Sequence, residues 1–454
     1  MDRGEMDQVA GEVDALGAAL DAERFRHVAG LDPEPSLARP FAARSRAAHR
    51  ETVKVLRESG DPGLADRVAA LRAERAQAEA EERWRGAESA ASGIGPDGKA
   101  SLAALELALP RERDPERRRA LAAAAEAALG AAAGPREEAV ELRARARAEV
   151  GLAPDWRAVV LGDAALAASD DAWHDLLPFT ARRELGSVPP AGLSRADLLR
   201  AVSLSRWDGL FRPGMLPLTV KLTLEGLGLD AGRVRVDDGN RPAQWPGAHA
   251  VGARVSLRRR GGGSDWQDLL AALGRALASA PWSRRSPDLC EALAWVLGSL
   301  LLEPRWLADR ADAERRHAPD LVRDLALRRL LALRADGAAL RVAAEVERGL
   351  SGAAWRDAHR AALHAATSAS WEGGRASRDG DADRLAAQIR GAEAGEALRR
   401  TLVERFDEDW WRNPRSAGHL AGLLAAGVLP AQEGAPEGGL AARLLVSKLE
   451  GRPA

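Results

Sequence analysis

Tyrosine is missing from this 454-residue chain, and isoleucine (Ile94, Ile389), asparagine (Asn240, Asn413) and lysine (Lys54, Lys99, Lys221, Lys448) are nearly so. The scarce residues share AT-rich codons, so the skew points to a GC-rich gene rather than to a special architecture. It still has a chemical consequence: no phenol can act as acid, base or oxyanion donor anywhere in the chain. The single cysteine, Cys290, excludes an intrachain disulfide framework and any multi-cysteine metal cluster, and it fits a reducing compartment. No apolar run reaches the ~18 residues of a membrane span; the longest, 292–302, is interrupted by Gly298. The first fourteen residues are acidic and have no apolar signal core. A charge balance of 66 basic against 67 acidic residues, net -1, gives no global field for nucleic acid or anionic lipid. The expectation is a soluble cytoplasmic protein with no nucleic-acid or membrane partner.

With 46% hydrophobic and 29% charged residues the chain can bury a large core, and its length allows roughly two to four units. Alanine, leucine, arginine and glutamate, its abundant residues, are good helix formers. Over 21–84, apolar positions such as Val53, Leu56, Leu64, Val68 and Leu71 recur at three- and four-residue spacing, which predicts helical hairpins. Residues 92–98 read as a breaker, 101–150 as a second helical block whose last helix starts at Pro135, and 151–155 as another break. Short helices follow to about residue 228, with turns around 186–192 and 213–217. No fixed-period repeat is present, which argues against a solenoid.

One region departs from the helical period. Residues 233–237 and 251–257 alternate apolar and polar positions, with Val251, Ala253, Val255 and Leu257 on one face, and predict two strands. Gly261 to Gly263 follow, then Ser264 with Gln267 three residues on, a capping-box start for a helix over 265–280 with Leu269, Leu270, Leu273 and Leu277 inward. A second apolar helix spans 287–302. The rest to 427 is helical apart from a loop at 373–381, and a Pro/Gly-rich stretch at 430–439 precedes one short helix. The expected organisation is an N-terminal helical region (1–150), a body (151–430) whose distinctive core is 233–307, and a C-terminal tail (431–454).

Isolated candidates for chemistry read as structure. The triple glycine between strand and helix could cradle an anion, but it lacks the spaced glycines and the Lys-Ser/Thr of a nucleotide loop and reads as a connector. Cys290 has apolar neighbours and no evident base, so it reads as core. None of the eight histidines forms the i, i+4 pair that aims two imidazoles at one metal. Trp410-Trp411, beside Phe406, reads as helix packing rather than a stacking platform.

The order of elements and several short motifs carry a resemblance. Arg241-Pro, the strand to Leu257, Gly-Gly-x-Asp-Trp at 262–266, Leu269-Leu270, Gly274, Ala276-Leu277, Asp288-x-x-Glu291-Ala-x-Ala and Glu303-Pro-Arg-Trp-Leu307 resemble the thimet oligopeptidase and oligoendopeptidase F family of gluzincin zinc peptidases. Leu224-x-x-Leu-Gly-Leu-Asp230 and Phe406-Asp-x-Asp-Trp-Trp-Arg-Asn-Pro414, with Ala417-Gly418 and Leu420, extend the similarity over about 156–427. The resemblance implies a mostly α, zincin-like body of two lobes enclosing a cleft, with a small β-sheet beside the former active-site helix.

The family binds zinc through His-Glu-x-Gly-His, two imidazoles one turn apart with a glutamate that activates water. Aligned on Gly274, those positions here hold Ala271, Ala272 and Arg275. A methyl has no lone pair and a guanidinium has no acceptor, so the resemblance implies no catalytic residues, no metal and no other cofactor. Glu291 matches the third ligand, the only one retained. The family's transition-state tyrosine falls in a segment that here reads Asp383-Arg-Leu-Ala-Ala-Gln-Ile-Arg390. Arg275 is expected to pair with Glu291 in place of the cation; the bland alternative leaves both solvated at the cleft edge. The implied function is a pseudoenzyme, an inactive peptidase homologue whose cleft binds a peptide or protein, an active peptidase paralogue being one such partner. The rivals are an active zinc metallopeptidase with non-standard ligands and a helical interaction scaffold with a filled cleft.

Overall fold

A computed structural model describes residues 2–187, 192–314, 316–372, 381–429 and 438–451. The chain opens with helix α1 (Arg3–Val28), fixed at its start by a capping box between Asp2 and Glu5. Helix α2 (Pro62–Ala90) starts with Asp61 accepting from the Leu64 amide and proline in the first turn. Val9, Val13, Leu16 and Leu20 of α1 pack with Val68 and Leu71 of α2 in one apolar cluster. The expected breaker at 92–98 is instead a β-hairpin, β1 (Ser92–Gly95) antiparallel to β2 (Gly98–Ser101). Helix α3 (Pro115–Glu149) runs straight through Pro135, contrary to the expected helix start there. Packing of α3 along α2 outweighs the lost hydrogen bond.

Helix α4 (Trp156–Ala167) begins the body. The small sheet lies mid-chain as expected, with a different register of strands. It comprises β3 (Arg235–Asp237), β4 (Gly247–Val251) and β5 (Arg254–Arg258) in the order β3-β5-β4. β3 runs parallel to β5, and β4 pairs antiparallel with it from Gly247 opposite Arg258 to Val251 opposite Arg254. The predicted strand 251–257 is therefore a hairpin end: the chain reverses at Gly252-Ala253, with Gly252 at φ 59° supplying the left-handed turn residue.

Helix α5 (Gly263–Leu277) packs on this sheet and on α6 (Pro287–Ser299). Leu269, Leu270, Leu273 and Leu277 are buried as expected, but the predicted cap does not form. The N-cap is Gly262, and the Ser264 hydroxyl donates to the Ser203 carbonyl instead. The helix also ends at Leu277, three residues earlier than expected. Helices α7 (Ala318–Glu347), α8 (Ala382–Phe406) and α9 (Leu440–Leu449) complete the body. One large core joins α4 to α9 and holds Trp173, Trp266, Trp306, Trp410 and Trp411; Leu444, Leu445 and Leu449 of the last helix lie inside it. The expected loop at 373–381 and the stretch at 430–439 fall mostly on 373–380 and 430–437, outside the described residues. The architecture is the expected one, a mostly helical body with a small sheet beside the helix that carries 271–275.

Candidate functional site

Two helices meet at a single glycine. A Cβ on Gly274 would lie 2.4 Å from the Leu293 carbonyl oxygen, so only glycine lets α5 and α6 cross this closely. Helix α8 grips α6 from the other side: a Cβ on Gly391 would lie 2.2 Å from the Glu291 Cβ, and one on Gly395 would lie 2.6 Å from the Ala292 carbonyl oxygen. Glu291 is thereby fixed opposite the last turn of α5. Arg275 Nε donates to both of its carboxylate oxygens at 2.8 and 2.9 Å, with side chains 31% and 14% exposed. The two residues are brought together as the sequence reading expected. Burial opposes the Arg275 charge, yet the Glu291 carboxylate outweighs it and raises the guanidinium above its usual range.

The pair stands between two cavities that share it. An inner one of about 390 Å³ is lined by Ala271, Gln267, Trp295, Arg328, Arg329 and Ala248 among others. An outer one of about 800 Å³ opens toward α1, α2 and α3 and is lined by Asp21, Arg67, Glu74, Arg143, Asp288 and Arg390, with Ala250 and Val251 of β4. Both volumes fall in the range of ligand sites. Ala271 and Arg275, one turn apart, face this cleft, whereas Ala272 is fully buried in the core beneath.

These residues do not fit zinc. The two positions at which the resemblance places imidazoles hold a methyl and a permanent cation, and the Glu291 carboxylate is taken up by that cation. Among the described residues no group of three His, Cys, Asp or Glu side chains could hold a metal ion. The segment 383–390 does border the outer cavity. There Asp383 accepts from Arg147 at 2.8 Å and also from Arg143, while Arg390 grips Asp288 at 2.7 and 2.9 Å. The other candidates settle into structural roles. The amides of Arg260 and Gly261 donate to Asp265 at 2.8 and 2.7 Å, so the glycine turn is already filled by an internal carboxylate. Burial pushes the Cys290 thiol up to about 11, which leaves no reactive thiolate near neutral pH. Trp410 and Trp411 are fully buried.

Sequence reasoning missed Arg329. It projects from α7 onto the face of Trp295, its guanidinium carbon 4.1 Å from the ring centroid. The Trp295 indole in turn donates to Glu396 at 3.3 Å. Burial pushes the Arg329 guanidinium down to about 9, a sign that its charge is poorly compensated. Arginine at consecutive positions 328 and 329 of a leucine-rich helix was the available signal.

No protein-family model matches the chain, and no curated protein matches it by sequence. Solved structures do match its fold. A Bacillus anthracis strain Ames protein assigned as an oligoendopeptidase F superposes with a TM-score of 0.53 at 10% identity, over 93% of this chain and 84% of that one. PZ peptidase A, solved with an inhibitor, gives 0.57 at 11% identity over 94% and 86%. A further oligoendopeptidase F assignment gives 0.58 at 12% identity over 99% and 96%. The fold is thus that of oligoendopeptidase F-like peptidases.

Proposed function

We propose that this chain binds an extended peptide or peptide-like protein segment in the cleft and does not hydrolyse it. The observation that carries the reading is the exchange at one point of the cleft: the Ala271 methyl and the Arg275–Glu291 pair stand where the resemblance places metal ligands. Hydrolysis of an amide needs a generated nucleophile and charge stabilisation at the oxyanion, and the absence of tyrosine removes one further donor. Binding needs neither. Strand β4 is an edge of the sheet, hydrogen-bonded on one side to β5, and its residues line both cavities, Ala248 the inner and Ala250 the outer. An extended peptide adding to such an edge gains main-chain hydrogen bonds whatever the state of the metal site.

The partner is accordingly a peptide or a protein tail, supplied in one version by an active peptidase relative. A reducing, cytoplasmic setting is supported by the single cysteine, and among the described residues no helix is long and apolar enough to cross a membrane. The test combines elemental analysis, a fluorogenic peptide assay and fluorescence anisotropy with dye-labelled extended peptides. Saturable peptide binding with sub-stoichiometric zinc and no chelator-sensitive turnover is expected. One zinc per chain with turnover establishes the metallopeptidase alternative, and no binding of any peptide favours the plain scaffold.

A further inference from the structure

Three guanidinium groups line the inner cavity, and their partners differ. Arg275 is paired with Glu291. Arg328 is held by Asp268 at 2.8 Å and by the Gln267 side chain at 3.0 Å. Arg329 has no carboxylate in ion-pair reach among the described residues. Its one hydrogen bond there runs from Nη2 to the Trp295 carbonyl at 3.3 Å, and Nη1 is buried without an acceptor. Glu396, the carboxylate that does act on Arg329 from a distance, is committed to Arg399 at 2.9 and 3.0 Å and to Arg400 at 3.2 Å.

The position of this cation is specific. A Cβ built on Gly298 would lie 2.9 Å from Arg329 Nη1 and 3.6 Å from the Ala271 Cβ. The guanidinium therefore reaches the face of α5 from which Ala271 looks into the cavity. The cavity of about 390 Å³ that it lines has both small walls, such as Ala271, Ala294 and Ala392, and larger ones, such as Leu331 and Trp371, and Asp336 also borders it. A buried guanidinium carries five donors and costs free energy when they go unmet. The aromatic face of Trp295 offsets part of that cost, and an entering anion would supply the rest through a planar, two-pronged contact.

We infer that the inner cavity is a carboxylate-binding subsite built on Arg329, which receives an acidic side chain or the C-terminal carboxylate of a bound peptide; this rests on the reading of the cleft as a peptide site. The test uses dye-labelled alanine-based octapeptides in three forms: neutral and amidated, amidated with one internal glutamate, and with a free C-terminus. At least one acidic form should bind about tenfold or more tighter than the neutral one, the usual scale of a charged hydrogen bond. That preference should vanish in Arg329→Met, and the form that shows it identifies the source of the carboxylate. Equal affinity for all three forms overturns the subsite while leaving the peptide reading intact.

Failure of all three peptides to bind removes the peptide reading, and glutarate alone then decides the subsite. A glutarate-dependent rise in melting temperature in the wild type but not in Arg329→Met upholds it, and no rise overturns it. Without ligand, Arg329→Met should melt no lower than the wild type, because a poorly compensated charge has been replaced by an apolar chain. A clear drop would show that the protein already satisfies this guanidinium, and would overturn the proposal.

Discussion

Breaking the Arg275–Glu291 pair should cost more from either side than from both. With Glu291→Gln, the Arg275 guanidinium loses its bidentate acceptor and remains near Arg329, a like charge it already opposes. With Arg275→Met, the Glu291 carboxylate is left one helical turn from Asp288, which it likewise opposes. The double variant removes both leftover charges. Exposed pairs contribute about 0.2–1 kcal/mol, and breaking a fully buried pair costs about 3–5 kcal/mol. At 31% and 14% exposure this pair lies between, and we expect each single variant to lose about 2 kcal/mol and the double to recover about 2.5 kcal/mol of the summed loss, so that it loses less than either single. Urea unfolding of the four proteins in a double-mutant cycle measures it, repeated in 0.5 M salt, where screening should reduce the coupling only partly. Strict additivity, to within about 0.4 kcal/mol, would refute the reasoning and show both side chains solvated.

Other perturbations test the surrounding frame. His27, at 1% exposure, has its pKa driven down to about 3, chiefly by burial and then by Arg85. Below its ordinary value of about 6.5 the unfolded chain takes up a proton that the folded chain refuses, so stability is complete above that pH and falls by roughly 1.4 kcal/mol per unit on descending toward 3. His27→Gln should flatten that acid limb in urea titrations at pH 5 and 7; an unchanged slope would exclude His27 as its cause. Gly274→Ala should destabilise by about 2–3 kcal/mol through the clash with Leu293, read as a lower urea midpoint with unchanged slope. Ala271→His with Arg275→His, leaving Ala272 in the core, should create micromolar or better zinc affinity with Glu291 as third ligand. Competition with a chromogenic chelator checks it, and a folded double variant without zinc affinity counts against the alignment on Gly274.

Much of the fold was legible where burial follows a period. Leu269, Leu270, Leu273 and Leu277 announce α5, and the offset from Gly274 was enough to foresee the Arg275–Glu291 contact. The hairpin was missed because the apolar alternation Val251, Ala253, Val255, Leu257 runs on through the turn. Only Gly252, free to take a positive φ, marks the reversal there. Pro135 misled because proline usually opens a helix, and the packing of α3 on α2 is not visible locally. The Ser264 cap failed because its hydroxyl found Ser203, sixty-one residues away. Arg329 was illegible for a similar reason: on α7 alone it looks like a solvated charge, and its environment is made by Trp295 and Gly298 on another helix.

On the peptide reading, the ion pair that borders both cavities acts as a bolt across the cleft. A guest short enough for one chamber meets the bolt only at its end. An extended strand advances about 3.3 Å per residue, so a longer guest soon reaches past Arg275 and Glu291 and must ride over the bolt or draw it. On the peptide reading, affinity stops rising smoothly with guest length and drops by a step where the pair must first open, and the depth of that step is the strength of one guanidinium–carboxylate contact.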